Sequence, residues 1–199
     1  MDFKLEAQLG VGKFARVCGV DEAGRGPLAG PLCVAAVILP LKVELPGLND
    51  SKKLSASKRE MLFELIIKQA IAYNIVMIDE KTIDEINILQ AAMRGMQKAV
   101  LGLLVTPDLV LVDGNRAPEL EVETHCVIKG DSRVRCIAAA SILAKVTRDK
   151  FMISLAVQYP EYSFEKHKGY GTKEHYLALE RYGLSPVHRR TFCKKIAAL

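Results

Sequence analysis

The chain has no tryptophan, no run of eighteen apolar residues, no C-x-x-C pair, no internal repeat and no low-complexity segment. The missing apolar run and the lack of a basic-then-apolar leader argue against a membrane span and a secretory signal. The five cysteines (Cys18, Cys33, Cys126, Cys136 and Cys193) are odd in number and scattered. They read as reduced, mostly buried thiols of a cytoplasmic protein rather than as disulfides or a zinc site. The fragment GVGKF at 10–14 lacks the upstream glycine of a phosphate-binding loop, and Phe14 stands where a magnesium-holding Ser or Thr belongs, so it is rejected.

What is present suits one sizeable core: 199 residues, half of them hydrophobic and a quarter charged. The net charge of +5 is unevenly placed. From Phe164 onward, eight Lys or Arg face three Glu, which accounts for all of it, and the preceding residues balance at 20 against 20. A basic segment on a neutral body suits a tail that guides a polyanion, although a solubilising surface has the same composition.

Periodicity and turn signals predict an α/β layer fold. The expected strands are 16–20, 32–39, 72–78, 109–112 and 122–128. The Gly/Pro-rich stretch between the first two suits an antiparallel turn. Capping boxes at Ser57-x-x-Glu60 and Thr82-x-x-Glu85 open two helices, the second running to about Leu101. A long helix is expected over 134–158 before Pro160, and a short one over 172–182 before Gly183. Residues 1–15 form an irregular or briefly helical lead-in.

The organising stretch is VCGVDEAGRGPLAG at 17–30. An apolar strand running into Asp21 and Glu22 is a poor stabiliser, because desolvated carboxylates need a partner, and a divalent cation is one that fits two together. The Gly24-Arg25-Gly26 loop that follows offers amides and a guanidinium to phosphate. Asp113 and Asp131 also close predicted strands or open loops. Taken singly, each has a structural reading: a solvated strand end, a turn at Asp113-Gly114, a helix cap at Asp131. Taken together, if the first and fourth strands are adjacent, their acids come side by side at the strand ends of an α/β sheet and suit two Mg²⁺ or Mn²⁺ ions and metal-assisted cleavage of a phosphodiester.

DEAGRGPLAGPL, DSKKLS at 50–55, LVDGN at 111–115, KGD at 129–131, SILAKVTRD at 141–149, HKGYGT at 167–172 and SPVHRR at 185–190 together resemble bacterial ribonuclease HII, in order and over nearly the whole chain. The resemblance implies a ribonuclease-H-like mixed five-stranded sheet flanked by helices, with residues 1–160 as the catalytic domain and 161–199 as its basic helical extension. It implies hydrolysis of the RNA strand of RNA–DNA hybrids and incision 5′ of single ribonucleotides embedded in duplex DNA. Asp21, Glu22, Asp113 and Asp131 fall on the family's four-carboxylate site, which holds two Mn²⁺ or Mg²⁺ ions and leaves 3′-hydroxyl and 5′-phosphate ends.

By the same resemblance, Gly24, Arg25 and Gly26 read the ribose 2′-hydroxyl, largely through backbone atoms, and Tyr170 stacks on the sugar 3′ of the cut. Without the resemblance, Tyr170 reads as a loop tyrosine packed on the body. Ser141, Lys145 and Arg148 share one helix face by spacing, either solvated or turned to the nucleic acid backbone with Asp149 organising it. Lys52 and Lys53 are further phosphate contacts. His125, His167, His175 and His188 show no metal-ligand spacing and are assigned as structural or phosphate-proximal.

Ribonuclease HIII shares the acids but carries an extra N-terminal domain, for which the roughly 16 residues before the first strand are too few. The rival from another class is a hybrid-binding protein without chemistry. Carboxylates beside phosphates weigh against it, since they add nothing to affinity. Nothing in the sequence calls for more than a monomer.

Overall fold

The computed structural model describes residues 16–194 together with Leu5, Gln8, Leu9 and Phe14. Most of the 1–15 lead-in, four of the five residues of the GVGKF fragment, and Lys195 of the basic segment lie outside the described residues.

Five strands form one mixed sheet in the order β3-β2-β1-β4-β5: β1 Val17–Ala23, β2 Leu32–Ile38, β3 Ala72–Ile78, β4 Leu109–Asp113 and β5 Thr124–Val127. As the Gly/Pro turn predicted, β1 and β2 pair antiparallel; β3 joins β2 antiparallel, while β4 and β5 run parallel to β1. The two central strands were expected to stop before their acids. Instead the β1 ladder continues to Ala23 opposite Cys33, and β4 reaches Asp113, so Asp21, Glu22 and Asp113 are strand residues. This backbone pairing fixes their directions in a way a free loop would not.

Helix α1 (Ala56–Gln69) and α3 (Arg135–Gln158) cover one sheet face, and α2 (Glu80–Leu101) covers the other. Strand alternation sorts the core accordingly: Val17, Leu109 and Leu111 face α3, while Cys18, Val20, Val110 and Val112 face α2. Gly19 is where α3 presses closest, since a Cβ there would meet the Cys136 carbonyl carbon at 2.1 Å. Two caps sit upstream of the expected boxes. Ser55 accepts from the Lys58 amide and Asp79 from the Thr82 amide, so Ser57 and Thr82 lie inside the first turns. Helix α2 also breaks at Asn87, whose φ of 65° is left-handed and whose side chain recaps the chain by accepting from Leu89 and Gln90.

After Pro160, the short α4 (Phe164–His167) and α5 (Lys173–Tyr182) form a third core with Leu28, Ala29, Met152 and Leu155. Four cysteines are buried, Cys126 is exposed, and none of the five is in a disulfide.

Candidate active site

Parallel pairing of β1 with β4 sets Val20 beside Val112, so the next residues, Asp21 and Asp113, leave the sheet side by side. Alternation puts both on the α3 face, with Glu22 on the other. Asp21 is almost fully buried, and its Oδ1 accepts the Glu22 amide at 2.7 Å. Asp113 Oδ1 accepts the Gly130 amide at 2.7 Å, which draws the turn carrying buried Asp131 against the strand end. That turn is entered through Lys129 in a left-handed conformation.

Burial, reinforced by the charges of Glu22 and Asp113, holds the Asp21 carboxyl well above the usual carboxylate range. Burial also raises Glu22 against the lowering pull of Arg25, and raises Asp113 with help from Asp131. Two cationic side chains reach the acids directly. Lys52 Nζ is 3.6 Å from Asp131 Oδ2, and Arg25 Nη1 donates to Glu22 Oε1 at 3.3 Å. Glu22 Oε2 is buried without a hydrogen-bond partner among the described residues. Such an orphaned carboxylate oxygen beside raised acids is a site short of cationic charge. The donors are all oxygen, which suits a hard divalent cation. Among the described residues, no group of three or more His, Cys, Asp or Glu side chains is arranged to hold a metal ion as it stands; the acids flank an open space instead.

That space is a cleft of about 460 Å³ with Asp21, Glu22 and Asp113 along one wall. The Gly24-Arg25-Gly26 loop, Ser51, Lys52, Ser141, Lys145, Arg148 and Tyr170 line the rest of it. Tyr170 is 44% exposed, and a Cβ at Gly26 would sit 3.8 Å from its ring, so tyrosine and loop face each other across the opening. Lys145 lies in the cleft, tied to Asp149 at 2.8 Å. Lys53 is exposed and does not line it.

Two expected substrate contacts line the cleft and also have partners within the fold. Ser141 is buried, with its Oγ 3.0 Å from Ser51 Oγ, joining the Ser51–Lys53 turn to α3. Arg148 is 1% exposed, and its guanidinium donates to the carbonyls of Ala29, Pro31 and Lys168. It lines the cleft and holds its loops together, neither solvated nor free, where the helical spacing left a solvated face and one turned to the nucleic acid backbone as alternatives.

Its counterpart, Arg189, was missed by the site reading and counted only as basic charge. It is fully buried and donates to the carbonyls of Gly24, Arg25 and Gly30. Burial lowers it to about 10, so it stays charged at neutral pH and its donors remain fixed on the loop. The adjacent chain completes the brace: Leu28 donates to Gly169, Gly30 to Val187 and Arg189 to Leu28 through backbone amides. Gly24 itself has φ +95°, and a Cβ there would lie 2.0 Å from Arg148 Nε. The only sequence signal for Arg189 was its place in the SPVHRR motif.

The family model for ribonuclease HII matches residues 18–195. A ribonuclease HII of Caldicellulosiruptor bescii is 51% identical over 197 residues, covering 99% of this chain and 96% of the relative. One from Endomicrobium trichonymphae is 56% identical over 180 residues, covering 90% and 86%. Among solved structures, the ribonuclease H2 of Pyrococcus horikoshii superposes with a TM-score of 0.77 at 29% identity, covering 92% of this chain and 97% of that one. With its ribonuclease-H-like sheet and its acids at the β1–β4 edge, the chain belongs to the ribonuclease HII family and is a ribonuclease H, an enzyme of RNA–DNA hybrids.

Proposed function

We propose that this ribonuclease H incises 5′ of single ribonucleotides in duplex DNA as well as cutting longer hybrids, with Asp21, Glu22, Asp113 and Asp131 holding two Mn²⁺ or Mg²⁺ ions. The observation that carries the reading is the adjacency of Asp21 and Asp113 on parallel strands, with Glu22 Oε2 unpartnered beside them. Divalent cations bound there supply a lowered water pKa and charge neutralisation for a leaving 3′-oxygen, giving 3′-hydroxyl and 5′-phosphate ends.

The chain's own residues supply orientation. Arg189 and Arg148 hold the Gly24-Arg25-Gly26 backbone close to the acids, where a 2′-hydroxyl distinguishes ribose from deoxyribose. Tyr170, opposite that loop, offers a ring face to the sugar on the 3′ side of the cut. Lys52 and Lys145 face the same cleft and suit the phosphates. The test is a nicking assay on a duplex carrying one ribonucleotide, with and without Mg²⁺ or Mn²⁺. A metal-dependent cut 5′ of the ribonucleotide is expected; binding with no metal-dependent nick would favour the hybrid-binding rival.

A further inference from the structure

Three histidines expected to be structural or phosphate-proximal lie together under Tyr170. His175 and His188 are buried, and their Nε2 atoms are 3.0 Å apart. A contact of that length requires one nitrogen to donate and the other to accept. The outer ends decide which. The Ser185 amide, which can only donate, points at His188 Nδ1 at 3.0 Å, so that nitrogen accepts and the His188 proton sits on Nε2. The Tyr170 carbonyl, which can only accept, lies 3.0 Å from His175 Nδ1, so that nitrogen carries the His175 proton and Nε2 accepts. Both ends require the same polarity at the shared contact.

We propose that His188 and His175 form a one-way, neutral hydrogen-bond relay, from the Ser185 amide to the Tyr170 carbonyl, that positions Tyr170 for selective incision at a single ribonucleotide. A second proton works against it. On His175 it would set two N–H groups face to face at Nε2, and on His188 it would oppose the Ser185 amide and require the Ser185 hydroxyl, 2.8 Å from Nδ1, to turn from donor to acceptor. His167 is neutral by the same logic, accepting the Gly169 amide at Nδ1 and donating from Nε2 to the Tyr162 carbonyl. Its ring stacks on His175 with centroids 4.5 Å apart, while Tyr162 and Phe164 meet His175 edge-on. The charged groups around the cluster are Glu165, Lys168 and Glu174 near His167, with Glu174 paired to Lys166. Burial holds His175 and His188 near 4, so the relay stays intact at working pH.

The relay rests on the reading of Tyr170, so its test has two independent arms. In the first, nitrogen-15 spectra of labelled histidines in the full chain report tautomers directly. Proton on Nδ1 for His175 and on Nε2 for His188, unchanged between pH 7 and pH 6, is expected; the reverse tautomer or a charged ring at pH 6 overturns the relay.

The second arm compares His175→Asn with His175→Gln. Asparagine keeps a donor at the Nδ1 position, whereas glutamine keeps more of the volume but loses that donor. The preference for a single-ribonucleotide duplex over a long hybrid should fall about tenfold in kcat/KM for glutamine, one ordinary hydrogen bond's worth, and be retained by asparagine. If glutamine preserves the preference better, the histidine acts by packing alone and the proposal fails. If Tyr170→Ala leaves the preference unchanged, the Tyr170 reading falls, and the positioning role with it, while the spectra still decide the relay itself.

Discussion

Replacing Asp21 by asparagine removes a charge that the fold holds at a cost. The side chain is 5% exposed, and burial and the neighbouring acids hold its carboxyl well above the usual range. Asparagine is the same size, its Oδ1 still accepts the Glu22 amide, and its amide group can donate to Ser141, which also hydrogen-bonds Asp21, so the change acts mainly through the charge. The metal-free variant is expected to be more stable at neutral pH by about 1–3 kcal/mol, the scale of an inadequately partnered buried polar group. In a chain of this length that raises Tm by roughly 3 to 10 °C.

The pH dependence carries the sharper test. A carboxyl with a raised folded-state pKa binds its proton more tightly folded than unfolded. Its contribution is complete below about pH 4, the usual carboxylate value, and is lost as pH rises through the folded value. The Tm gap between variant and parent should therefore be near zero at about pH 3 and open as pH rises. His175 and His188, held near 4, destabilise in the opposite direction as pH falls, but they do so in both proteins and cancel in the difference. Calorimetry in chelator from pH 3 to pH 8 measures the gap. A variant no more stable than its parent at pH 7, or a gap independent of pH, refutes the account of the site as short of cationic charge.

Three further outcomes follow from the cleft walls. Gly24→Ala should reduce cleavage at least tenfold, because a left-handed residue and the Arg148 contact must both shift, whereas Arg25→Ala, at an exposed side chain, should lose only a few-fold; equal losses in initial-rate assays would contradict backbone reading. Arg189→Met should cost about 3 kcal/mol or more by stranding three loop carbonyls, seen as a lower denaturation midpoint. Tyr170→Ala should lose incision at single ribonucleotides more than cutting of long hybrids, read from parallel gels.

The sheet was legible because its signals are local: apolar runs of strand length, a Gly/Pro turn too short for a crossover, and acids where those runs end. Adjacency of β1 and β4 was posed as a condition, and the parallel ladder meets it. Helix starts were misplaced by a turn or less, since Asp79 and Ser55 act as caps without the Glu that completes a capping box. Arg148 and Arg189 were illegible for a different reason. Guanidinium groups in a sequence read as solvated charge, and only the three-dimensional supply of free backbone carbonyls reveals them as buried braces. The histidine cluster was hidden likewise, its members being spread over three short segments.

The brace supplied by Arg189 reaches back 165 positions to Gly24. A polypeptide made from its amino end therefore emerges with all four acids proposed to hold metal long before the group that shapes the turn proposed to read the ribose. Growing chains would carry the cutting groups without the means of choosing where to cut, and discrimination would be acquired last, when the segment around residue 189 folds home.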